Sequence, residues 1–495
     1  MVDTKDIISN KKLSPMMRRY FEIKSNYADC ILLFRLGDFY EMFFDDAIKA
    51  SKILDLTLTG RDCGLNERAP MCGVPYHSVD GYIRKLIEKG ERVAICEQLT
   101  DPKESKGLVE RDVVRVVTAG TLMEETILDE KTSNYLASVC LIQNGFGLSW
   151  ADISTGEFNC FEYQSEDYLQ KLDSLLSALN PSETICRADD LKIIKSIPFF
   201  EAEKEVRPTQ ASCYGYDTAV ASLRSQFKTA TLAQFECEDK KLAIGAAGGL
   251  ISYLKETQKR HVGQIFKLNY IKDGSFMLLD SNTRKNLEIT ARAKDGKRQG
   301  SLLHVLDRCR TAMGSRRLKT FLEQPLQDIN KISERQDAIE EFFLDISLRN
   351  DISIMLDNVG DLERLSGRAA YGSVTPKDCL AITRALKTIP DIKTRLKECK
   401  SALLKSICAS IQPHDDIAEL LEKAISDNAA EEGGIIKSDY SSELYQLRNI
   451  RALAKRWLEE LERAERENTG IRTLKIGFNK VFGYYIEVSK SFVDK

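Results

Sequence analysis

The sequence predicts a multidomain fold, α/β in its first half and α-helical in its second. Three observations carry that expectation. At 495 residues the chain exceeds the roughly 250–300 residues at which one hydrophobic core stops growing, so three or more domains are expected. Strand-like and helix-like segments alternate as far as about Lys267. Beyond it β signals nearly vanish and apolar residues recur at helical spacing, as in SLLHVLDRCRTAMGSRRLKTFLEQPL.

Residues 14–27 (SPMMRRYFEIKSNY) begin with an N-cap candidate, Ser14, and with Pro15 at the first helical position. Met17, Tyr20, Phe21 and Ile23 then form an apolar face, which predicts a helix. ILLFRLGDFYEMF follows as two β-favouring runs divided by Gly37-Asp38, and DDAIKASKILDL as a helix. YIRKLIEK (82–89) is helical by spacing and stops at Gly90, while ERVAICEQL and RDVVRVVTAGT are strands by their β-branched content. A first domain of mixed α/β type therefore covers 1–120. From 134 to 165 three strand-like runs are parted by Asn144-Gly145 and Ser154-Thr155-Gly156, strong hairpin punctuation, and a helix near 166–178 follows. This second α/β domain is expected over 121–267, and a helical one over 268–439.

Between 440 and 468, Tyr440, Glu443, Leu447, Ile450, Ala454, Trp457, Leu461 and Ala464 recur at alternating spacings of three and four. That is a coiled-coil seam on a helix whose outer faces carry both signs of charge. TLKIGFNKVFGYYIEVSKS then predicts two strands about a turn containing Asn479, so 440–495 forms a fourth region. The seam has no second helix before Lys495, which suggests a truncated arm.

Apolar content of 43% and charged content of 30% are those of an ordinary soluble globular protein. No apolar stretch approaches the roughly 20 residues of a membrane span, and the N-terminus lacks the apolar core of a secretory signal. A cytoplasmic, nucleoid-associated location without membrane contact is expected. Thirteen cysteines form no CxxC pattern and are expected to be reduced and mostly buried; the four histidines are scattered, so no metal cluster is expected. The formal net charge is -3, and residues 1–121 hold nineteen basic and nineteen acidic side chains. Binding of nucleic acid by bulk charge is thereby excluded. Any such binding has to rest on placed residues or on clamping.

The sharpest local segment is Gly37-Asp38-Phe39-Tyr40-Glu41. In an extended chain Phe39 and Glu41 share a face, and an aromatic wedge beside a hydrogen-bond acceptor suits probing of a base step from the minor groove. An aromatic run after a turn is more often core, so spacing alone leaves both readings open. Asp152, in WADISTGEF, invites a nuclease reading. Two-metal hydrolysis needs several converging carboxylates, however, and no companions are placed near it, so a structural role is expected and no catalytic residue is assigned.

RLGDFYEMF, RAPMCGVPYHSVDGYIRKLIEKGERVAICEQL and KGLVERDVVRVVTAGT together closely resemble the N-terminal mismatch-binding domain of the bacterial MutS family of DNA mismatch-repair proteins. WADISTGEF is similar to that family's RNase H-like connector, LDSNTRKNLEIT and TAMGSRRLKTFLEQPL to its helical lever core, and LKIGFNKVFGYYIEVSKS to its inserted clamp, here incomplete. The resemblance implies that Phe39 stacks on a mispaired or unpaired base, that Glu41 hydrogen-bonds to it, and that Met71 is a second minor-groove neighbour. Arg61, Arg111 and Arg115 are candidate phosphate contacts in the first domain, as are Asn479, Lys480 and Lys490 near the clamp tip. Glu41 also disfavours tight binding to perfect duplex, because a carboxylate near phosphates is repelled.

No G-x-x-x-x-G-K-S/T segment, whose amides and hydroxyl hold nucleotide and magnesium, occurs in the chain. None of this sequence is therefore expected to bind a cofactor; the resemblance implies ATP and Mg2+ in an ATPase domain beyond Lys495. It implies further a homodimer around kinked duplex DNA with mismatches or small loops, ATP-dependent sliding, and a downstream MutL-type repair partner. The alternatives are a relative acting in recombination, which would lack the Phe39–Glu41 pair, and an inert scaffold without DNA binding of its own.

Overall fold

The computed structural model describes residues 13–64, 68–100, 109–201, 204–259, 262–427, 434–479 and 483–492. The chain divides into two compact units, Met1–Val374 with Thr388–Gln412 and Thr375–Lys387 with Pro413–Lys495.

In the first unit, helix α1 (Pro15–Asn26) starts where the sequence places it, the Ser14 hydroxyl accepting from Met17 N at 3.3 Å. Then come β1 (Cys30–Leu36), β2 (Phe39–Phe43), α2 (Phe44–Leu54), β3 (Thr59–Arg61), β4 (Ala69–Pro75), α3 (Val79–Glu88), β5 (Arg92–Gln98) and β6 (Arg111–Val117). Their sheet runs β3-β4-β2-β1-β5-β6, antiparallel throughout except for β1 beside β5. Side chains alternate along a strand. Leu32 and Phe34 thus meet Met17, Tyr20 and Phe21 of α1 on one face, and Ile31 and Leu33 meet Ala47, Ala50, Ile83 and Leu86 of α2 and α3 on the other. Asp46 fastens α2 to both layers. Buried at 8% exposure, it accepts from Lys24 Nζ of α1 at 2.8 Å and from Leu32 N of β1 at 3.0 Å.

The second sheet contains β7 (Leu136–Ile142), β8 (Gly145–Asp152), β9 (Glu157–Gln164), β10 (Glu183–Arg187), β11 (Val206–Thr209) and β12 (Asn269–Tyr270), ordered β11-β10-β7-β8-β9-β12. β7, β8 and β9 form an antiparallel meander, extended by β10 parallel to β7 and β11 parallel to β10. This is the arrangement expected of the connector. β12 pairs with β9 and lies just past the expected boundary at Lys267; a two-residue strand has no periodicity to read. Helix α4 (Tyr168–Leu179) packs on one face, and α5 (Tyr216–Phe227) with α6 (Lys241–Gln258) on the other. The α6 backbone comes so close that a Cβ on Gly147 of β8 would lie 2.0 Å from Leu242 O.

Helices α7 (Ala312–Glu323), α8 (Ile329–Leu344), α9 (Ile346–Asp357), α10 (Leu362–Tyr371), α11 (Pro376–Leu396) and α12 (Ala402–Ser410) follow. Thr311, Asp328, Asp345, Asp361 and Ser401 cap five of them through their side chains. Arg316, 4% exposed, holds the helical region to the chain before β7, donating to Glu130 O at 2.8 Å and to both carboxylate oxygens of Asp361.

The second unit contains α13 (Asp415–Ala424), α14 (Ser442–Thr469), and the antiparallel pair β13 (Lys475–Asn479) and β14 (Gly483–Glu487). Its longer segment runs from Pro413, and Thr375–Lys387, which holds the first part of α11, belongs to it as well. Asn479, expected in a turn, is the last residue of β13 and lies opposite Gly483 in the ladder; residues 480–482 fall outside the described ones. Arg466 Nε and Glu462 tie α14 to β13 through Leu474 O (2.6 Å) and Ile476 N (2.9 Å). The seam residues Leu447, Ile450 and Trp457 are about three-fifths exposed, at 59%, 62% and 61%. Among the described residues no helix is long and apolar enough to cross a membrane. Ten of the thirteen cysteines are buried.

Gly147→Ala is expected to lower stability by about 1–3 kcal/mol or more, because α6 backbone has to move. Gly81→Ala in α3, where an added Cβ meets nothing within 4 Å, is expected to raise it by about 0.5–1 kcal/mol. Urea midpoints of the two variants against wild type check both signs.

Candidate nucleic-acid interface

β2 alternates sharply. Tyr40, Met42 and Phe43 are at most 5% exposed, yet Phe39 at the head of the strand is 47% exposed. Tyr40 and Met42 belong to the core under α2 and α3, so Phe39 and Glu41 point to the α1 side of the sheet. Phe39 pairs with Leu36 on β1, which packs half-buried at the margin of the α1 core, and with Pro75 on β4.

The turn ahead of Phe39 is braced from two directions. Gly37 adopts φ 59°, a left-handed conformation that favours glycine. Arg35 Nε donates to Gly37 O at 2.5 Å, and Tyr76 N donates to Asp38 O at 3.0 Å. The Arg35 guanidinium lies 3.6 Å from the centroid of the Tyr76 ring and 3.8 Å from Glu97 Oε2; the Tyr40 hydroxyl donates to the other Glu97 oxygen. Burial, then the Glu97 hydrogen bond and charge, push the Tyr40 phenol well above its ordinary value, so it stays a donor. At the other end of β2, Phe44 takes φ 53° and turns the chain directly into α2. A left-handed conformation at a non-glycine residue is strained and persists only where packing enforces it. Phe44 packs on Tyr20 and Phe21, with ring centroids 6.4 and 5.0 Å away.

Glu41 does not stand alone. Arg61 Nη1 of β3 donates to its Oε2, forming an ion pair with side chains 37% and 17% exposed. Met71 of β4 pairs with Phe43 and Thr59 on the same face and packs half-buried against the α1 core. Phe39, Glu41, Met71 and Arg61 thus form one strip across β2, β4 and β3.

Arg111 and Arg115, expected as phosphate contacts, are 7% and 8% exposed. Arg111 donates to Arg35 O at 3.1 Å and Val109 O at 3.0 Å. Arg115 is ion-paired with Glu124 and donates to Thr121 O at 2.8 Å. Neither guanidinium is presented to solvent, so the expectation is corrected for both: Arg111 ties β6 to β1, and Arg115 ties it to the segment that follows. Burial raises the Glu124 carboxyl, but the Arg115 charge and the hydrogen bonds from Met123 N and Arg115 outweigh it and hold the group below its ordinary 4.5. In the second unit Asn479 and Lys490 are exposed, beside Phe478, Tyr484 and Tyr485 at 61%, 63% and 43% exposure. Lys480 lies outside the described residues.

Asp152 is fully buried and accepts from Asn134 N and Ser154 N, each at 2.9 Å, and from Ser154 Oγ at 2.6 Å. It closes the β8–β9 corner. No group of three or more metal-ligating side chains occurs among the described residues. Sequence reasoning missed Arg35, Tyr76 and Glu97; the sole signal was that they fall inside the strings RLGDFYEMF and RAPMCGVPYHSVDGYIRKLIEKGERVAICEQL.

Three family descriptions match the chain in order: MutS domain I over residues 14–126, MutS domain II over 134–266 and MutS domain III over 282–474. Relatives named DNA mismatch repair protein MutS include those of Alkaliphilus oremlandii, 43% identical over 97% of this chain and 56% of its own length, and Halothermothrix orenii, 44% identical over 98% and 54%. That of Caldanaerobacter subterraneus is 45% identical over 97% and 55%. The chain belongs to the MutS family. It spans about half the length of these curated relatives.

Arg115→Met is expected to destabilise the chain by about 3 kcal/mol, since it leaves the largely covered Glu124 without a counter-charge. Because the folded Glu124 carboxyl is depressed, its contribution is complete above the ordinary 4.5 and is lost as pH falls through the lower folded value. Urea midpoints of wild type and Glu124→Gln should therefore converge on acidification below about pH 4.5.

Proposed function

We propose that this chain supplies the DNA-probing part of a mismatch-repair protein: it reads mismatched or unpaired bases by inserting Phe39 from the minor groove, with Glu41 accepting a hydrogen bond from the displaced base. The observation that carries this is the half-exposed Phe39 ring at the end of a strand whose other aromatic residues are buried, on a turn held by Arg35 and Tyr76 N. A wedge that unstacks a base step has to resist a load of a few kcal/mol, and a braced turn transmits it to the sheet. A mismatched step needs less of that energy than a matched one, so insertion itself discriminates. Met71 lies on the same strip, available to the neighbouring step.

The fold adds little bulk charge, consistent with recognition by shape and deformability rather than by phosphate count. Asn479 at the end of β13 and Lys490 just past β14 are sequence-independent backbone contacts in this scheme, joined by Lys480. In the whole protein, two copies close around kinked duplex, an ATPase domain with ATP and Mg2+ converts recognition into sliding, and a MutL-type partner is recruited.

Binding to a labelled duplex carrying a G·T mismatch or one unpaired thymine, against matched duplex, tests the wedge. Wild type should favour the mismatch, and Phe39→Ala should reduce that preference by roughly tenfold or more, the loss of a stacking contact worth about 1–3 kcal/mol. Equal binding of both duplexes by wild type would exclude it.

A further inference from the structure

The Arg61–Glu41 ion pair spans two strands that are not neighbours. Arg61 lies on β3 and Glu41 on β2, with β4 between them. Arg61 faces Ala69 and Glu41 faces Gly73 on that middle strand, so the guanidinium reaches diagonally over β4. Gly73 keeps the path low: a Cβ there would come within 3.5 Å of Glu41 Cγ and 3.3 Å of Tyr40 O. The contact engages Oε2. Among the described residues no hydrogen bond reaches Oε1.

An aromatic wedge tolerates any base, because every base has a face to stack on. Selectivity has to come from the acceptor beside it, and an uncompensated carboxylate among phosphates is repelled from every duplex alike. We infer that Arg61 is a positioning residue that sets mismatch specificity: it holds one oxygen of Glu41, offsets its charge, and leaves the other oxygen to accept from a mispaired base. This rests on the Phe39 wedge. It differs from the phosphate contact expected of Arg61, which would strengthen matched and mismatched complexes equally and act independently of Glu41.

A double-mutant cycle separates the two roles. Dissociation constants for mismatched and matched duplex are measured for wild type, Arg61→Met, Arg61→Lys, Glu41→Gln and Arg61→Met/Glu41→Gln, each over a range of salt concentrations, with Phe39→Ala alongside. Arg61→Met should lower the mismatch-to-matched preference by about tenfold, as for coupled charged neighbours, but by less than about twofold once Glu41→Gln has removed the charge it compensates. Arg61→Lys, which restores charge without a planar fork, should recover part of the preference. The inference is overturned if Arg61→Met weakens both duplexes equally in either background and makes the salt dependence shallower by about 0.9, the mark of a lost phosphate contact. If Phe39→Ala keeps the preference, the wedge itself is wrong; if it loses the preference while Arg61 and Glu41 act additively, only the positioning role falls. Failure of wild type to bind either duplex removes both.

Discussion

β2 is hydrogen-bonded along both edges, to β1 through Leu36–Phe39 and Phe34–Glu41 and to β4 through Pro75–Phe39, Gly73–Glu41 and Met71–Phe43. A strand paired on both sides cannot slip by one residue without turning its buried side chains out. Tyr40 and Met42 in one core and Phe43 in the other therefore lock the register that puts Phe39 and Glu41 on one face. The left-handed Gly37 at one end and Phe44 at the other mark where this strand stops. Everything ascribed to the interface follows from that register: the exposed ring, the carboxylate two residues on, and the arginine that reaches it over Gly73.

Part of the charge in the first unit is deployed inside it. Arg111, Arg115 and Arg316 are all nearly buried and donate to carbonyls or carboxylates, over 76 and 186 residues of sequence for Arg111 and Arg316. Such pairs are costly to break and add little net stability over an apolar substitute, so their value lies in fixing which segments meet. Arg316 joins the helical region to the chain before β7, and Arg115 joins β6 to the segment that follows it.

Much of this was legible beforehand, for reasons that can be located. Ser14-Pro15 announces α1 because capping chemistry is local, and Gly37-Asp38 announces the turn because a left-handed residue is needed there. The alternation in ILLFRLGDFYEMF gave the strands, though it left Phe39 equally compatible with core. Only the folded sheet decides that, by leaving Phe39 at the margin of the α1 core. Arg111 and Arg115 misled because a basic residue on a strand gives no sign of which way it faces until β5 and β6 are paired. The Arg35–Tyr76 stack and the Arg61–Glu41 pair join residues 41 and 20 positions apart through tertiary contact, and no spacing encodes either.

The seam of α14 has an optical corollary. The chain holds two tryptophans, Trp150 in β8 at 5% exposure and Trp457 on α14 at 61%. Their indoles sit in opposite solvents, so emission divides into a blue component from the connector and a red one from the seam. Whatever helix comes to cover Leu447, Ile450 and Trp457 will move the red component alone, and the chain thereby carries a built-in spectroscopic reporter on the state of its long arm.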